Sequence, residues 1–167
     1  MKFLIVSDTH GKERNLEAVL EKVGPLDGLI HLGDLEGGEN HIRKLVDAPL
    51  YMVAGNNDFY TDLPGELEVE LGGHLAFLTH GHGYFVSRDS ERLAQEGRRR
   101  GADIVMYGHT HVPELERRDG MTILNPGSLS LPRQEGRKPS YIVMEIDREG
   151  EAHYTICYLE RNLCWGL

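Results

Sequence analysis

Cysteine is scarce in this chain of 167 residues, which contains only Cys157 and Cys164. Both lie near the C-terminus, and no other soft metal ligand flanks them. Two such thiols argue against a disulfide framework and against a structural zinc site, which needs more ligands of this kind. We therefore expect two reduced thiols, as in a cytoplasmic protein.

Long apolar runs are absent from the sequence as well. No stretch approaches the roughly 20 apolar residues that a helix needs to span a bilayer. The apolar part of residues 1–8 is too short for a secretory signal and is typical of a first β-strand. These features favour a cytoplasmic protein without a membrane partner.

Basic residues are the minority among the charges, because 27 aspartates and glutamates outnumber 18 lysines and arginines and leave a net charge of −9. Proteins bind long nucleic acids mainly by neutralising phosphates with basic side chains, so this balance argues against such a partner. The short run from Arg98 to Arg100 is interpreted as the solvated end of a helix. Bound cations would still attract a small phosphate ester, and the sequence leaves a homo-oligomer open.

Five short apolar runs, each bounded by glycine, aspartate, asparagine or histidine, predict buried β-strands. They cover residues 3–6, 29–32, 50–53, 75–78 and 104–107. Apolar residues at helical spacing predict helices at 13–23, 39–46 and 88–100, with Ser87 as the N-cap of the third. Strands that alternate with helices are typical of a parallel sheet in an α/β fold.

The later part of the chain has a different pattern. Gly72-Gly73-His74 separates the segments Glu66–Leu71 and Leu75–Leu78 in a hairpin signal. Further strands are predicted at 121–124, 141–146 and 153–159. Antiparallel pairing in this part indicates a second sheet, or a mixed one, that packs on the first. The length suits one compact domain.

Metal-competent side chains follow each of the five buried strands. In chain order they are Asp8 and His10; Asp34; Asn56, Asn57 and Asp58; His80 and His82; and His109 and His111. Open α/β sheets bind ligands at the carboxyl ends of their strands, so these side chains should meet at one edge. One aspartate or histidine at a strand end is commonly a cap or a turn residue, but five such ends favour a metal site. The other histidines are interpreted as structural: His31, His41, His74 and His153.

The donor types indicate which metals the site would bind. Imidazole suits manganese, iron, nickel and zinc, whereas carboxylate and amide oxygens suit harder cations. Even seven ligands from this set would exceed the needs of a four-coordinate site and would fit two divalent ions that share one carboxylate. We expect Mn²⁺ first, with Ni²⁺, Fe²⁺ or Zn²⁺ as alternatives. The residues alone do not choose between Asn56 and Asn57.

Taken in order, five sequence blocks resemble the motifs of the calcineurin-like metallophosphoesterase superfamily. They are Asp8-x-His10, Gly33-Asp34, Gly55-Asn56-x-Asp58, His80-Gly81-His82 and Gly108-His109-Thr110-His111. The short length, with Asn125-Pro126-Gly127-Ser128 after the last block, is similar to the small bacterial and archaeal phosphodiesterases of that superfamily. The resemblance runs from Lys2 to about Ile146 and implies a four-layer αββα sandwich with two facing mixed sheets. From the length, we expect residues 1–167 to form a single domain.

The resemblance also assigns the ligands to two metals. Asp8, His10 and His111 would hold one ion, Asn56, His80 and His109 would hold the other, and Asp34 would bridge them. The activity it implies is hydrolysis of a phosphate ester, with a phosphodiester preferred, by attack of a hydroxide that bridges the metals. A phosphomonoesterase and a metal-bearing scaffold of the retromer-subunit type are the alternatives.

One position departs from the pattern of the family. Many members have histidine after the ligand asparagine, where this chain has Asn57, an amide that cannot act as a general acid. Asn57 can donate a hydrogen bond to a phosphoryl oxygen, and His82 is the nearest candidate for protonating the leaving group. Asp58 is expected to orient a ligand or its loop, and residues 125–128 to form a structural turn.

Overall fold

Two five-stranded sheets form the centre of the structure, a computed structural model that describes residues 1–160. The first sheet contains β1 (Lys2–Val6), β2 (Gly28–His31), β3 (Leu50–Met52), β9 (Ser140–Ile146) and β10 (Ala152–Tyr158). The second contains β4 (Glu66–Leu71), β5 (His74–Thr79), β6 (Ile104–Met106), β7 (Pro113–Arg118) and β8 (Met121–Pro126). The helices are α1 (Arg14–Val23), α2 (Glu39–Leu45) and α3 (Glu91–Arg100), and His82–Tyr84 form a short 3₁₀ helix.

Both sheets are mixed. The strand order is β10-β9-β1-β2-β3 in the first sheet and β4-β5-β6-β8-β7 in the second. Strands β1, β2 and β3 are parallel, as are β5, β6 and β8, and the other neighbouring strands pair antiparallel. The predicted hairpin is confirmed, because β4 and β5 pair across Gly72 and Gly73.

Alternation along β1 explains how the layers pack. Phe3 and Ile5 belong to a buried cluster that contains residues of both sheets. Leu4 and Val6 point to the opposite face and join a second cluster with buried residues of α1 and α2. A third cluster packs Leu93 of α3 on the outer face of the second sheet. The fold is therefore the expected αββα sandwich.

Helix α3 begins at Glu91, later than predicted, and the residue before it is Ser90. Residues 85–88 form turns instead of helix, and the first of them, Phe85, has a left-handed backbone with φ of 59°. Asp89 Oδ1 accepts a hydrogen bond of 3.1 Å from the Glu91 backbone N–H and so satisfies one donor of the first turn. The prediction of Ser87 as the N-cap was therefore wrong.

Strand β7 was not predicted from the sequence. Its six residues, PELERR, include four charged side chains, so no apolar alternation marks it. The strand lies at the edge of the second sheet and pairs only with β8. Charged side chains are common on edge strands because they discourage pairing with another chain.

The basic run at the end of α3 was expected to be solvated, but one of its residues is packed and hydrogen-bonded. The guanidinium carbon of Arg100 lies 4.1 Å from the centre of the Phe77 ring. The same guanidinium donates hydrogen bonds to Glu66, Glu68 and Glu96. Arg100 thus joins the end of the helix to strands β4 and β5, and its interpretation as a solvated residue was wrong.

Candidate metal centre

The loops that follow five strands meet at one edge of the sandwich. Strands β1, β2 and β3 come from the first sheet, and β5 and β6 come from the second. Each set is parallel, so its carboxyl ends lie side by side. The site therefore forms between the two sheets, from segments far apart in the sequence.

Four predicted ligands form one compact group. One donor atom from each of Asp8, His10, Asp34 and His111 lies within 4.8 Å of the donor atoms of the others. His111 Nε2 is 3.0 Å from Asp8 Oδ1 and 3.3 Å from His10 Nε2. The spacing leaves room for a cation between these atoms.

The other predicted ligands lie on the opposite side of Asp34. His80 Nε2 is 3.1 Å from Asn56 Oδ1 and 3.5 Å from Asp34 Oδ1. The ring of His109 is centred 5.2 Å from that of His80. The other oxygen of Asp34, Oδ2, faces the first group and lies 3.9 Å from His10 Nε2. The structure therefore brings all seven residues together, with Asp34 between two groups.

Hydrogen bonds donated by the Nδ1 atoms fix the tautomers of three histidines. His10 Nδ1 lies 2.6 Å from Glu36 Oε1, His80 Nδ1 lies 2.6 Å from the Leu32 carbonyl oxygen, and His111 Nδ1 lies 2.7 Å from the Leu131 carbonyl oxygen. Carbonyl and carboxylate oxygens only accept hydrogen bonds, so each Nδ1 carries the proton. In the neutral rings, each Nε2 then offers a lone pair to the site.

The Nε2 lone pairs face other hydrogen-bond acceptors. Because acceptors repel one another at these distances, a positive charge between them would stabilise the arrangement. His111 Nε2 faces Asp8 Oδ1, which is buried and makes no hydrogen bond within the described part of the chain. A buried acceptor without a partner is costly unless a cation or a proton satisfies it. Imidazole nitrogens together with carboxylate and amide oxygens are suitable ligands for first-row dications. The residues present therefore fit divalent metals.

The charges at the site act on one another. Burial by itself would raise the pKa of Asp8 and of Asp34, but the neighbouring imidazoles, His111 and His80 at Asp8 and His80 at Asp34, outweigh burial and lower both pKa values. The pKa of His80 is raised, because the two carboxylates outweigh the opposite effect of its burial. A proton and a metal ion thus compete for His80 Nε2.

The backbone turns sharply at most of the predicted ligands. Five of them have positive φ angles between 49° and 69°: Asp8, His10, Asp34, His109 and His111. Non-glycine residues rarely adopt this left-handed conformation, and those that do cluster at functional sites. Gly55 and Gly108 allow a close approach, because an added Cβ would lie 2.1 Å from Asp34 Oδ1 or from Ser7 Oγ.

Asp58 holds the loops of the site together, as expected. Its Oδ2 accepts hydrogen bonds from the backbone N–H groups of Asp34 and Gly55, at 2.8 and 2.7 Å, and its Oδ1 accepts one from Glu36 at 2.7 Å. One carboxylate therefore links the loop after β2 to the loop after β3.

The segment from Asn125 to Ser128 has a structural role, as expected, but it is not a turn throughout, because Asn125 and Pro126 are the last two residues of β8. Asn125 Nδ2 donates to the Gly108 carbonyl oxygen at 2.8 Å. Ser128 Oγ donates to the Asp8 carbonyl oxygen, also at 2.8 Å. The end of β8 and the residues after it thus anchor two loops that carry predicted ligands.

The two adjacent asparagines have different contacts. Asn56 places its side-chain oxygen beside His80, which agrees with the choice of Asn56 as the ligand. Asn57 donates to Asp34 twice, from Nδ2 to Oδ2 at 2.7 Å and from its backbone N–H to Oδ1 at 2.9 Å. This contact was not predicted.

His82 lies exposed beside the second group of ligands. Its ring is centred 5.5 Å from that of His80 and 6.2 Å from that of His109. Partial burial and the charge of His80 lower the pKa of His82. The side chain is therefore near the site and favours its neutral form.

Glu36 was missed by the sequence analysis. Its carboxylate accepts the Nδ1 proton of His10, a contact that fixes the ring and makes Nε2 a better metal ligand. Its position two residues after Asp34 is the only sequence signal for this role.

The other histidines make hydrogen bonds to residues outside the proposed ligand set, as predicted. His31 bonds Thr9 and Gly33, and the partners of the rest are Glu17 for His41, Gly150 for His74 and Asp147 for His153. His31 is fully buried, and burial lowers its pKa to about 4.

Cys157 is a free thiol, partly buried and apart from the ligands. Cys164 lies outside the described residues. Among residues 1–160, every helix is too short or too polar to cross a membrane.

The sequence matches the calcineurin-like phosphoesterase superfamily domain over residues 1–149. The probable metallophosphoesterase YsnB of Bacillus subtilis (strain 168) is 32% identical over 150 residues, which cover 89% of this chain and 86% of that protein. Phosphodiesterase YfcE of Escherichia coli (strain K12) is 31% identical over 172 residues, with 88% and 89% covered.

A solved structure of Vps29 from Entamoeba histolytica, complexed with Zn²⁺, has the same fold. It is 24% identical and superposes with a TM-score of 0.76, covering 95% of this chain and 99% of that one. At 24% identity, this similarity shows a shared fold and nothing about activity.

Proposed function

This chain belongs to the calcineurin-like phosphoesterase superfamily, and from that premise we propose that it is a binuclear metal-dependent phosphodiesterase. The observation that carries the proposal is the position of Asp34. Its Oδ2 lies 3.9 Å from His10 Nε2, and its Oδ1 lies 3.5 Å from His80 Nε2. A carboxylate with one oxygen toward each group of donors is suited to bridging two cations.

In this proposal each metal has its own ligands. Asp8, His10 and His111 hold one ion, Asn56, His80 and His109 hold the other, and Asp34 is shared. Two divalent ions would supply Lewis acidity and would make water acidic enough to act as a nucleophile near neutral pH. Mn²⁺ is the metal we expect first, with Ni²⁺, Fe²⁺ and Zn²⁺ as alternatives.

The charge of the centre favours a phosphodiester. Asp8 and Asp34 are the two carboxylates among the proposed ligands, so two dications are not fully neutralised by them. A positive centre in a chain of net charge −9 would attract a small phosphate ester and favour the monoanion of a diester. The likeness to phosphodiesterase YfcE supports the same choice.

The protonation of the leaving group depends on this chain's own residues. One N–H of the Asn57 amide is engaged by Asp34, and the other can donate to a phosphoryl oxygen. Partial burial and the charge of His80 lower the pKa of His82, which favours the neutral ring over the protonated ring that would donate a proton. Both features favour esters whose alcohol is a good leaving group and needs little protonation.

Hydrolysis of chromogenic esters tests the proposal directly. The protein is stripped of metal, reloaded with Mn²⁺, Ni²⁺ or Zn²⁺, and assayed with bis-p-nitrophenyl phosphate and with an alkyl phosphomonoester. We expect metal-dependent turnover of the diester, and loss of that turnover in Asp34→Asn. A folded, metal-loaded protein that cleaves neither ester would contradict the proposal.

A protein-interaction scaffold is the second candidate, and the fold it shares with Vps29 supports it. A scaffold of this kind would bind ions and catalyse no hydrolysis under any condition. The complete set of donors around Asp34 favours the enzyme. A cytoplasmic location and a homo-oligomer stay predictions from the sequence.

A further inference from the structure

A cavity of about 510 Å³ lies beside the proposed metal centre. Two of its lining residues, Glu36 and Asn57, contact proposed ligands. The contacts are 2.6 Å from Glu36 Oε1 to His10 Nδ1 and 2.7 Å from Asn57 Nδ2 to Asp34 Oδ2. A group bound in the cavity would therefore lie next to a phosphate held at the metals.

Two aromatic rings line the same cavity. Phe59 is 78% exposed, and Tyr60 is fully exposed. They are adjacent in sequence, directly after Asp58, which ties their loop to the metal-binding loops. The cavity therefore offers two aromatic surfaces whose faces carry partial negative charge.

The cavity is also acidic. Glu36, Glu39 and Asp58 line it, and none of its described lining residues is lysine or arginine. Glu39 accepts a hydrogen bond from the Thr61 hydroxyl. The hydroxyl is neutral, so this contact does not cancel the negative charge of Glu39. A negatively charged group would be repelled here, whereas a cation would be attracted both to the carboxylates and to the ring faces.

We propose that this cavity binds a quaternary ammonium group on one alcohol arm of the substrate, as in a choline phosphodiester. Tyr60 and Phe59 would contact the cation through their ring faces, and Glu39 would attract it by charge. The proposal rests on the proposed function, because the phosphate of the same substrate would lie at the metals.

Titration calorimetry on the Mn²⁺-loaded protein tests the inference without turnover. The probes are phosphorylcholine and 3,3-dimethylbutyl phosphate, in which carbon replaces the charged nitrogen and the shape is kept. We expect phosphorylcholine to bind about three- to tenfold more tightly. The preference should disappear in Tyr60→Ala and shrink in Glu39→Gln. Tyr158→Ala, which removes an exposed aromatic side chain of β10, should keep it.

The inference would be overturned if the two probes bind equally or if neither binds detectably. Equal binding is also the result expected if the two aromatic rings serve to contact another protein. Tyr60 is fully exposed, so its loss should not disturb folding. If Tyr60→Ala nevertheless melts early, Phe59→Leu provides the same test.

Turnover separates this inference from the proposed function. The p-nitrophenyl esters of phosphorylcholine and of 3,3-dimethylbutyl phosphate differ only in the charge of one arm. Equal cleavage of both esters would support the hydrolase and overturn the assignment of the cavity. If neither is cleaved while phosphorylcholine still binds more tightly, the cavity assignment holds and the hydrolase proposal fails.

Discussion

Asn57 donates two hydrogen bonds to Asp34, one from its side chain at 2.7 Å and one from its backbone at 2.9 Å. Asp34 is the carboxylate that lies between the two groups of proposed ligands. The residue that occupies the position of the usual family histidine therefore helps to hold the proposed bridge in place. This relationship links metal binding to the choice of leaving group.

We predict that Asn57→His raises kcat/KM for alkyl phosphomonoesters selectively. An imidazole can still donate to Asp34 or to the phosphate, and it can also protonate a poor leaving group, an effect worth typically 10²–10⁴-fold. Activated aryl diesters should gain little. Steady-state kinetics on both ester classes, with His82→Ala in parallel, would check this. A wild type that already favours alkyl monoesters, together with an unchanged variant, would refute the account.

A second prediction concerns the carboxylate that orients His10. Replacing Glu36 with Gln removes the negative charge beside His10 Nδ1, so Mn²⁺ affinity should fall about tenfold. Glu17→Gln is the matched control, because Glu17 bonds the exposed ring of His41 at 2.8 Å in the same way. Competition with a chromophoric chelator measures both affinities. Equal affinities in the two variants would show that Glu36 has no such role.

Acid stability should depend on His31. Its pKa falls from 6.5 to about 4 on folding, chiefly because of burial, so the folded state favours the neutral ring. The corresponding stability is fully present above pH 6.5, is lost as the pH falls toward 4, and amounts to about 3 kcal/mol. Asparagine does not titrate, so the free energy of unfolding of His31→Asn should fall less than that of the wild type between pH 6.5 and pH 4. Both proteins are measured in the presence of a chelator, so that no metal is bound. Parallel curves for the two proteins would contradict the prediction.

The cysteines should be dispensable. Cys157 is a free thiol apart from the ligand set, and Cys164 is assigned no role. Replacing both with serine should leave metal content and turnover nearly intact. Elemental analysis of the double variant is the check, and a lost ion would reveal a site that includes a thiol.

Much of the site could be predicted because it depends on short-range sequence order. A strand that ends in a polar residue places that residue at the sheet edge. Parallel pairing then brings Asp8 beside Asp34 in the first sheet and His80 beside His109 in the second. The carboxylate of Glu36 and the amide of Asn57 could not be assigned in this way. Their roles depend on which side chains meet across loops, and that follows from the packing of the two sheets.

The missed elements have local causes. Strand β7 lies at an edge, where charged residues replace the apolar alternation that marks a buried strand. The start of α3 was placed too early because Ser87 and Ser90 are equally good caps by composition. Residues 85–88 form turns between the 3₁₀ helix and α3, and helical periodicity does not indicate them.

Metal counting on the wild type and two variants tests the central claim most directly. After dialysis against Mn²⁺ and removal of free ion, elemental analysis should find two ions per chain in the wild type. Asp34→Ala should lose both ions and all activity, because the shared carboxylate fixes both sites, whereas His10→Ala should retain one. A stable Asp34→Ala protein with full activity and one ion or none would contradict the two-metal account.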